Sequence, residues 1–208
     1  MLFRSYLANA ADKPAVFISG SAIGFYGNRG NELVDESSKA GSGFASELCQ
    51  QWEATTQPLK QAGTRVVNIR TGIVLSPAGG ALQKMLLHFK LGLGGILGSG
   101  KQYVSWLSID DMVDMVKFVI SNESISGPVN MVSPEPVTNS QLTKALGSAL
   151  HRPTFFPMPA IIARLLFGEM ADELLLSSTR VRPEKMLESG YRFHHADLSE
   201  ALKYLLSE

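Results

Sequence analysis

The chain has 208 residues, 45% of them hydrophobic, with nineteen basic and nineteen acidic side chains and a single cysteine, Cys49. That length and apolar content suit one large domain, or a domain and a half, around an ample core. A formal charge of zero argues against a nucleic-acid partner, which calls for a basic excess or stripe, and the lone cysteine rules out an internal disulfide.

In chain order, residues 15–19 read as a buried strand, and Ser42 or Gly43 begins a helix running to about residue 61, where Gly63 stops it. Residues 65–70 form the next strand, 81–91 a helix, 103–107 a strand, 109–121 a helix and 129–132 another strand. This alternation is the pattern of a parallel sheet covered on both faces. Thr138 or Asn139 caps a helix through about residue 150, after which Arg152-Pro153, Pro157 and Pro159 mark a change of regime. The remainder is chiefly helical, over 159–167, 169–177, 183–189 and 198–206. Within it, AIIARLLFG is interrupted by Arg164 and far too short to span a bilayer; it reads as a buried amphipathic helix. No membrane partner is expected. The N-terminus lacks the basic, apolar and small-residue succession of a signal peptide, so a cytoplasmic setting is expected.

The stretch GSGKQYVSWLSIDD, Gly98 to Asp111, joins a tight glycine turn to an aromatic strand and an acidic helix start, a joint that borders a pocket. Asp110 and Asp111 suit the positive end of a helix dipole as capping and first-turn charges. This stretch resembles the GDGxQxRDFIHVDD signature of the extended short-chain dehydrogenase/reductases. Val104 stands where many members place an arginine against a sugar-nucleotide pyrophosphate, and Ser108 where they place a histidine. The segments ISGSAIGFYGNRG, QQWEA, VVNIRTGIVLSPAGGALQKML, GPVNMVSPEPVTNSQLTKAL, RPTFFPMPA and LLLSSTRVRPEKMLESGYRF extend the resemblance from about Ala15 to Leu205. They are similar to one atypical branch, the nucleoside-diphosphate-sugar epimerase-like epimerase family, with its small extra C-terminal domain.

The resemblance implies an α/β fold: the C-terminal part of a Rossmann-like parallel sheet with helices on both faces, plus a small, mainly helical C-terminal subdomain. Residues 1–152 would be a partial NAD(P)-binding domain and 153–208 the subdomain. A Rossmann domain holds its cofactor's pyrophosphate at a glycine-rich turn between a strand and a helix. No such unit occurs here, and the glycines of LGLGGILGSG lead into a strand instead. The chain is therefore expected to lack about the first third of a complete member. NADP or NAD is expected in the complete protein, with weak or no binding by this chain alone. An exposed sheet edge near residues 15–19 is expected to favour self-association.

Ordinary members pair a serine after the strand with Tyr-x-x-x-Lys on the next helix, where the lysine lowers the tyrosine pKa. The serine survives as Ser19 or Ser21, but the helix reads FASELCQQWE. Phe44 or Ala45 thus takes the tyrosine position, and Leu48 or Cys49 the lysine position. Ser21 and Tyr26 are the remaining candidate catalytic residues, and Tyr26 also suits a packing and hydroxyl-anchoring role. By the resemblance, Ser19, Ser21, Gly72, Ile73 and Val74 border the nicotinamide, and Met85, Gln102, Trp106 and Ser108 line the substrate side.

Arg70, at the end of a strand, either faces the ligand crevice or holds the next loop by hydrogen bonds. His194 and His195 are adjacent, without the spacing of a metal pair, and Asp197 starts the last helix; no metal is expected. Cys49 reads as a buried thiol. The implied activity is NAD(P)-dependent epimerisation or oxidoreduction of a sugar-like or other hydroxylated small molecule. The alternatives are a non-catalytic dinucleotide-sensing or interaction module, or an inactive fragment.

Overall fold

The computed structural model describes residues 7, 9, 10, 12–168, 171, 172 and 176–207. In chain order come β1 (Val16–Ala22), a 3-10 turn (Ile23–Tyr26), β2 (Leu33–Val34), α1 (Phe44–Ala54), α2 (Gln57–Gln61), β3 (Arg65–Thr71) and β4 (Ile73–Leu75). Then follow α3 (Gly80–Lys90), β5 (Tyr103–Val104), β6 (Trp106–Ser108), α4 (Ile109–Ser121), β7 (Gly127–Met131), β8 (Val137–Thr138) and α5 (Asn139–Leu150). The last elements are α6 (Ala160–Phe167), β9 (Arg180–Val181), α7 (Glu184–Glu188) and α8 (Leu198–Leu205).

β1, β3 and β7 form a parallel sheet in that order, with Ser21 opposite Arg70 and Arg70 opposite Asn130. Side chains alternate across a strand, so Val67 and Ile69 join Met115 and Val119 of α4 on one face, while Arg70 turns to α1 on the other. Helices thus cover both faces. Fully burying each valine or methionine of this layer contributes about 1.5–3 kcal/mol. A second core gathers Leu75, Leu82, Trp106, Leu146 and Leu202, where α3, α5 and α8 pack beside the parallel pair β4–β6. β9 pairs with β2, from the middle of the chain's first half, so the C-terminal segment is stitched into the main body.

The helix expected over 42–61 is two helices, because Pro58 has no N–H to continue the ladder of α1 and stands instead in the first turn of α2, with the Thr56 hydroxyl on the Glu53 carbonyl at 2.7 Å between them. The strand expected over 103–107 breaks at Ser105, whose hydroxyl donates to the Thr179 carbonyl and accepts the Val181 N–H, each at 2.9 Å. α4 matches its expected span, and α5 starts on a capping box between Thr138 and Gln141. α6 was expected to be buried. It instead exposes Ile161, Ile162 and Leu165, because its apolar residues occupy more of its circumference than one packed face can cover. The helix expected over 169–177 lies largely outside the described residues. Among the described residues, no helix is long and apolar enough to cross a membrane.

Gly72 separates β3 from β4 where no side chain fits: a Cβ there would stand 2.5 Å from the Ser105 carbonyl oxygen. That close approach lets β4 leave the main sheet and pair with β6.

Candidate functional site

On α1, Ser46, Cys49 and Glu53 recur at helical spacing toward the sheet. Ser46 donates to the Phe25 carbonyl at 2.7 Å and so holds the 3-10 turn against the helix. Two turns further, Glu53 accepts three hydrogen bonds: Ser21 Oγ and Arg70 Nε reach its Oε1, each at 2.8 Å, and Arg70 NH2 reaches Oε2 at 2.9 Å. The third arm of the guanidinium, NH1, donates to the Tyr26 hydroxyl at 3.0 Å. That hydroxyl donates in turn to Asn130 Oδ1 at 2.7 Å. The Asn130 amide closes the chain, its Nδ2 donating to the Arg182 carbonyl and its main-chain N–H to Glu36 Oε1.

Electrostatics follow from this burial. Burial works against the Arg70 charge, but the Glu53 hydrogen bonds and the Tyr26 hydroxyl outweigh it and hold its pKa above the ordinary guanidinium value. Burial raises the Tyr26 phenol despite the pull of Arg70, and burial also raises the Glu36 carboxyl. The Arg70 guanidinium lies flat over the Phe25 ring, 3.4 Å from its centroid. Arg70 holds neighbours by hydrogen bonds, but they are α1 and the loop after β1 rather than the loop that follows its own strand.

Tyr26 is fully buried, with both hydroxyl roles used by protein. A catalytic role for Tyr26 would have to work through a hydroxyl already shared between Arg70 and Asn130. Its packing and anchoring role stands. Ser21 and Ser19 sit on β1, 8% and 3% exposed, with Ser21 committing its proton to Glu53. Gly72 donates its N–H to the Met131 carbonyl and Ile73 to the Ser105 carbonyl, and Val74 is half-buried. On α1, Phe44 is exposed, Ala45 is half-buried, Leu48 is half-buried and Cys49 is a buried thiol.

The residues expected on the substrate side occupy several elements. Trp106 is fully buried in the second core, its indole N–H donating to the Glu135 carbonyl at 3.1 Å. Ser108 is the N-cap of α4 and fully buried. Gln102 donates to the Leu97 carbonyl within the glycine turn, and Met85 packs half-buried against the second core.

Asp111, expected as a first-turn charge, is a buried anchor. It accepts from Ser108 Oγ, the Tyr191 hydroxyl and the main-chain N–H groups of His194 and His195. Asp197 caps α8, as expected. Among the described residues, no cluster of three or more histidine, cysteine or acidic side chains is arranged to hold a metal ion. Glu53, Glu36 and Asn130 escape sequence reading; the one available signal is the polar residues at inward spacing along α1.

Residues 158–205 match the family described as Domain of unknown function (DUF1731). The chain is 48% identical over 190 residues to Epimerase family protein Mb2239 of Mycobacterium bovis, covering 91% of this chain and 63% of that relative. It is 36% identical over 204 residues to Epimerase family protein SDR39U1 of Mus musculus, covering 97% of this chain and 69% of the mouse protein. The crystal structure of human epimerase family protein SDR39U1 (isoform 2) with NADPH superposes with a TM-score of 0.94 at 32% identity, over 100% of this chain and 70% of that one. The chain thus spans 63% of the length of the mycobacterial relative.

Proposed function

Because the chain belongs to the epimerase family that includes mouse SDR39U1 and mycobacterial Mb2239, we propose that it is the nicotinamide-side and substrate-side portion of an NADP(H)-dependent epimerase or oxidoreductase acting on a sugar-like or other hydroxylated small molecule. The carrying observation is Ser21, held by Glu53 at the carboxyl end of edge strand β1. Ligands of parallel α/β sheets bind outside the carboxyl ends of the strands.

The residues present fit one end of the dinucleotide. Beside Ser21, a Cβ on Gly20 would meet no atom within 4 Å, which leaves that strand end open. Ile73 and Val74 offer half-buried apolar surface suited to a flat ring. The pyrophosphate end needs a glycine-rich turn opening a helix, and among the described residues the glycines at 92–100 lead into β5 instead. NADPH in the human relative's structure supports the cofactor class. When bound, the nicotinamide supplies or accepts a hydride.

Ser21 gives its only hydroxyl proton to Glu53, and only lone pairs remain to face a ligand. It therefore accepts from a donor, such as a carboxamide N–H or a substrate hydroxyl. With Tyr26 buried and Phe44 and Leu48 on α1, a proton leaving the substrate passes to water or to a group outside these residues.

Those same absences favour a second reading, a dinucleotide-sensing module without turnover. The test joins this chain behind the N-terminal portion of mouse SDR39U1 and measures NADPH binding and loss of NADPH absorbance with a panel of sugars and hydroxylated carbonyl compounds. Turnover supports the first reading, and binding without turnover the second. Absence of binding overturns both.

A further inference from the structure

Arg180 opens β9, in register with Leu33 of β2. Its guanidinium carbon stands 4.8 Å from the centroid of the Tyr103 ring, within cation–π range. Its Nε is buried and has no hydrogen-bond partner among the described residues. One terminal nitrogen makes a long bond, 3.4 Å, to Asn31 Oδ1, and none of the ion pairs among the described residues involves Arg180. Other arginines of the chain are satisfied: Arg70, Arg164 and Arg182 each hold a carboxylate, and Arg65 donates to main-chain carbonyls at the end of α4.

The surroundings hold this group in place. Ser178 accepts the Tyr103 N–H and donates to the Gly30 carbonyl, and Thr179 donates to the Gly27 carbonyl at 2.9 Å. Arg180 is thereby set between the loop that follows Tyr26 and the Tyr103 strand, next to Gln102 on the segment that the family resemblance assigns to the substrate. Val104 brings no charge there. A guanidinium has five donors in a planar fork suited to two oxygens of one anion, and here most of that capacity is unused in a half-buried, oriented group.

We propose that Arg180, clamped on Tyr103 and flanked by Asn31, is an anion-recognition subsite that takes a carboxylate or phosphate group of the substrate. The identity of the anion's carrier rests on the function proposed above; the anion binding itself does not.

The test follows the backbone amide signals of Asn31 and Tyr103 in the 15N-labelled 208-residue chain during addition of sodium phosphate or, separately, sodium acetate at constant ionic strength. Saturable shifts are expected with at least one anion. Saturation by phosphate alone assigns a phosphorylated substrate, and by acetate alone a carboxylate. Arg180→Gln should weaken binding by about tenfold or more, and Arg180→Lys several-fold through loss of the planar fork. Arg182→Gln, which removes the same charge two residues away, should leave it unchanged. Should Arg180→Gln fail to fold in a thermal melt, Arg180→Lys decides. Shifts that do not saturate with either anion, binding unaffected in the Arg180 variants, or an equal loss in Arg182→Gln would overturn the proposal. Loss of NADPH binding in the joined protein with these shifts intact overturns only the cofactor reading.

Discussion

Arg70 of β3 meets Glu53 of α1 through two parallel hydrogen bonds of 2.8 and 2.9 Å, with their side chains 4% and 13% exposed. The planar fork matches the carboxylate, and Ser21 adds a third donor to the same oxygen that accepts Arg70 Nε. Both oxygens of the carboxylate are thus taken up by protein donors. Its role is to fix the serine hydroxyl and bind helix to sheet.

Removing one partner of this pair leaves the other charge buried and uncompensated. Glu53→Leu or Arg70→Met alone should cost about 3–5 kcal/mol in urea unfolding. The double variant should be less destabilised than either single one, because both charges leave together. Additive losses in the double variant would show that the two residues do not act as a pair.

Asp111→Asn places an amide NH2 against donors that need acceptors. At least one of the four donors around Asp111 then goes unpaired, at about 1–3 kcal/mol for each buried group left unsatisfied. Hydrogen exchange should accelerate first at the amides of His194 and His195, ahead of α4. Unchanged protection at those two amides would contradict the anchoring role.

Tyr26 and Tyr191 carry phenols raised above the ordinary 10.0, Tyr26 by burial and Tyr191 by burial and then the Asp111 carboxylate. The fold favours their neutral forms. The stabilisation is therefore fully present below pH 10.0 and is lost as pH rises through the folded values. In an ultraviolet titration, at least two of the chain's five tyrosines should ionise only as the protein unfolds. Ionisation of all five while circular dichroism stays native would contradict these assignments.

Much of the frame is legible in the residues. The apolar spacing of MVDMVKFVI and the acidic pair before it give α4, and the threonine and glutamine three residues apart give the start of α5. The order of strands and helices follows from alternation alone. One interruption does not, because the Ser105 hydroxyl acts through Thr179 and Val181, which the chain brings near only on folding, whereas Pro58 marks the break near Thr56 in the sequence itself. The site divides in the same way. The loss of the Tyr-x-x-x-Lys pair can be read directly, whereas Glu53 lies 17 residues from Arg70 with no periodic signal linking them. Trp106 and Ser108 show the limit of pattern alone, since an aromatic strand and a polar helix start look alike whether they line a crevice or close a core.

Among the described residues β1 is the outer strand in the order β1, β3, β7, and an outer strand can template pairing with another chain. Sedimentation of the 208-residue chain should show concentration-dependent self-association. Proline in place of Phe17 or Ile18 should change that behaviour if the edge mediates it, although either change also removes an apolar side chain from the fold. A strictly monomeric, well-dispersed chain at high concentration would contradict the expectation.

The central claim is that the carboxyl ends of β1 and β4 form the nicotinamide end of a dinucleotide site. It is tested most directly by titrating the 15N-labelled chain with nicotinamide mononucleotide and, separately, with adenosine monophosphate. The account predicts saturable shifts with the nicotinamide compound, strongest at the amides of Ser21, Ile73 and Val74, and none at those residues with the adenosine compound. Equal shifts from both compounds, or none from nicotinamide mononucleotide at these three residues, would contradict it.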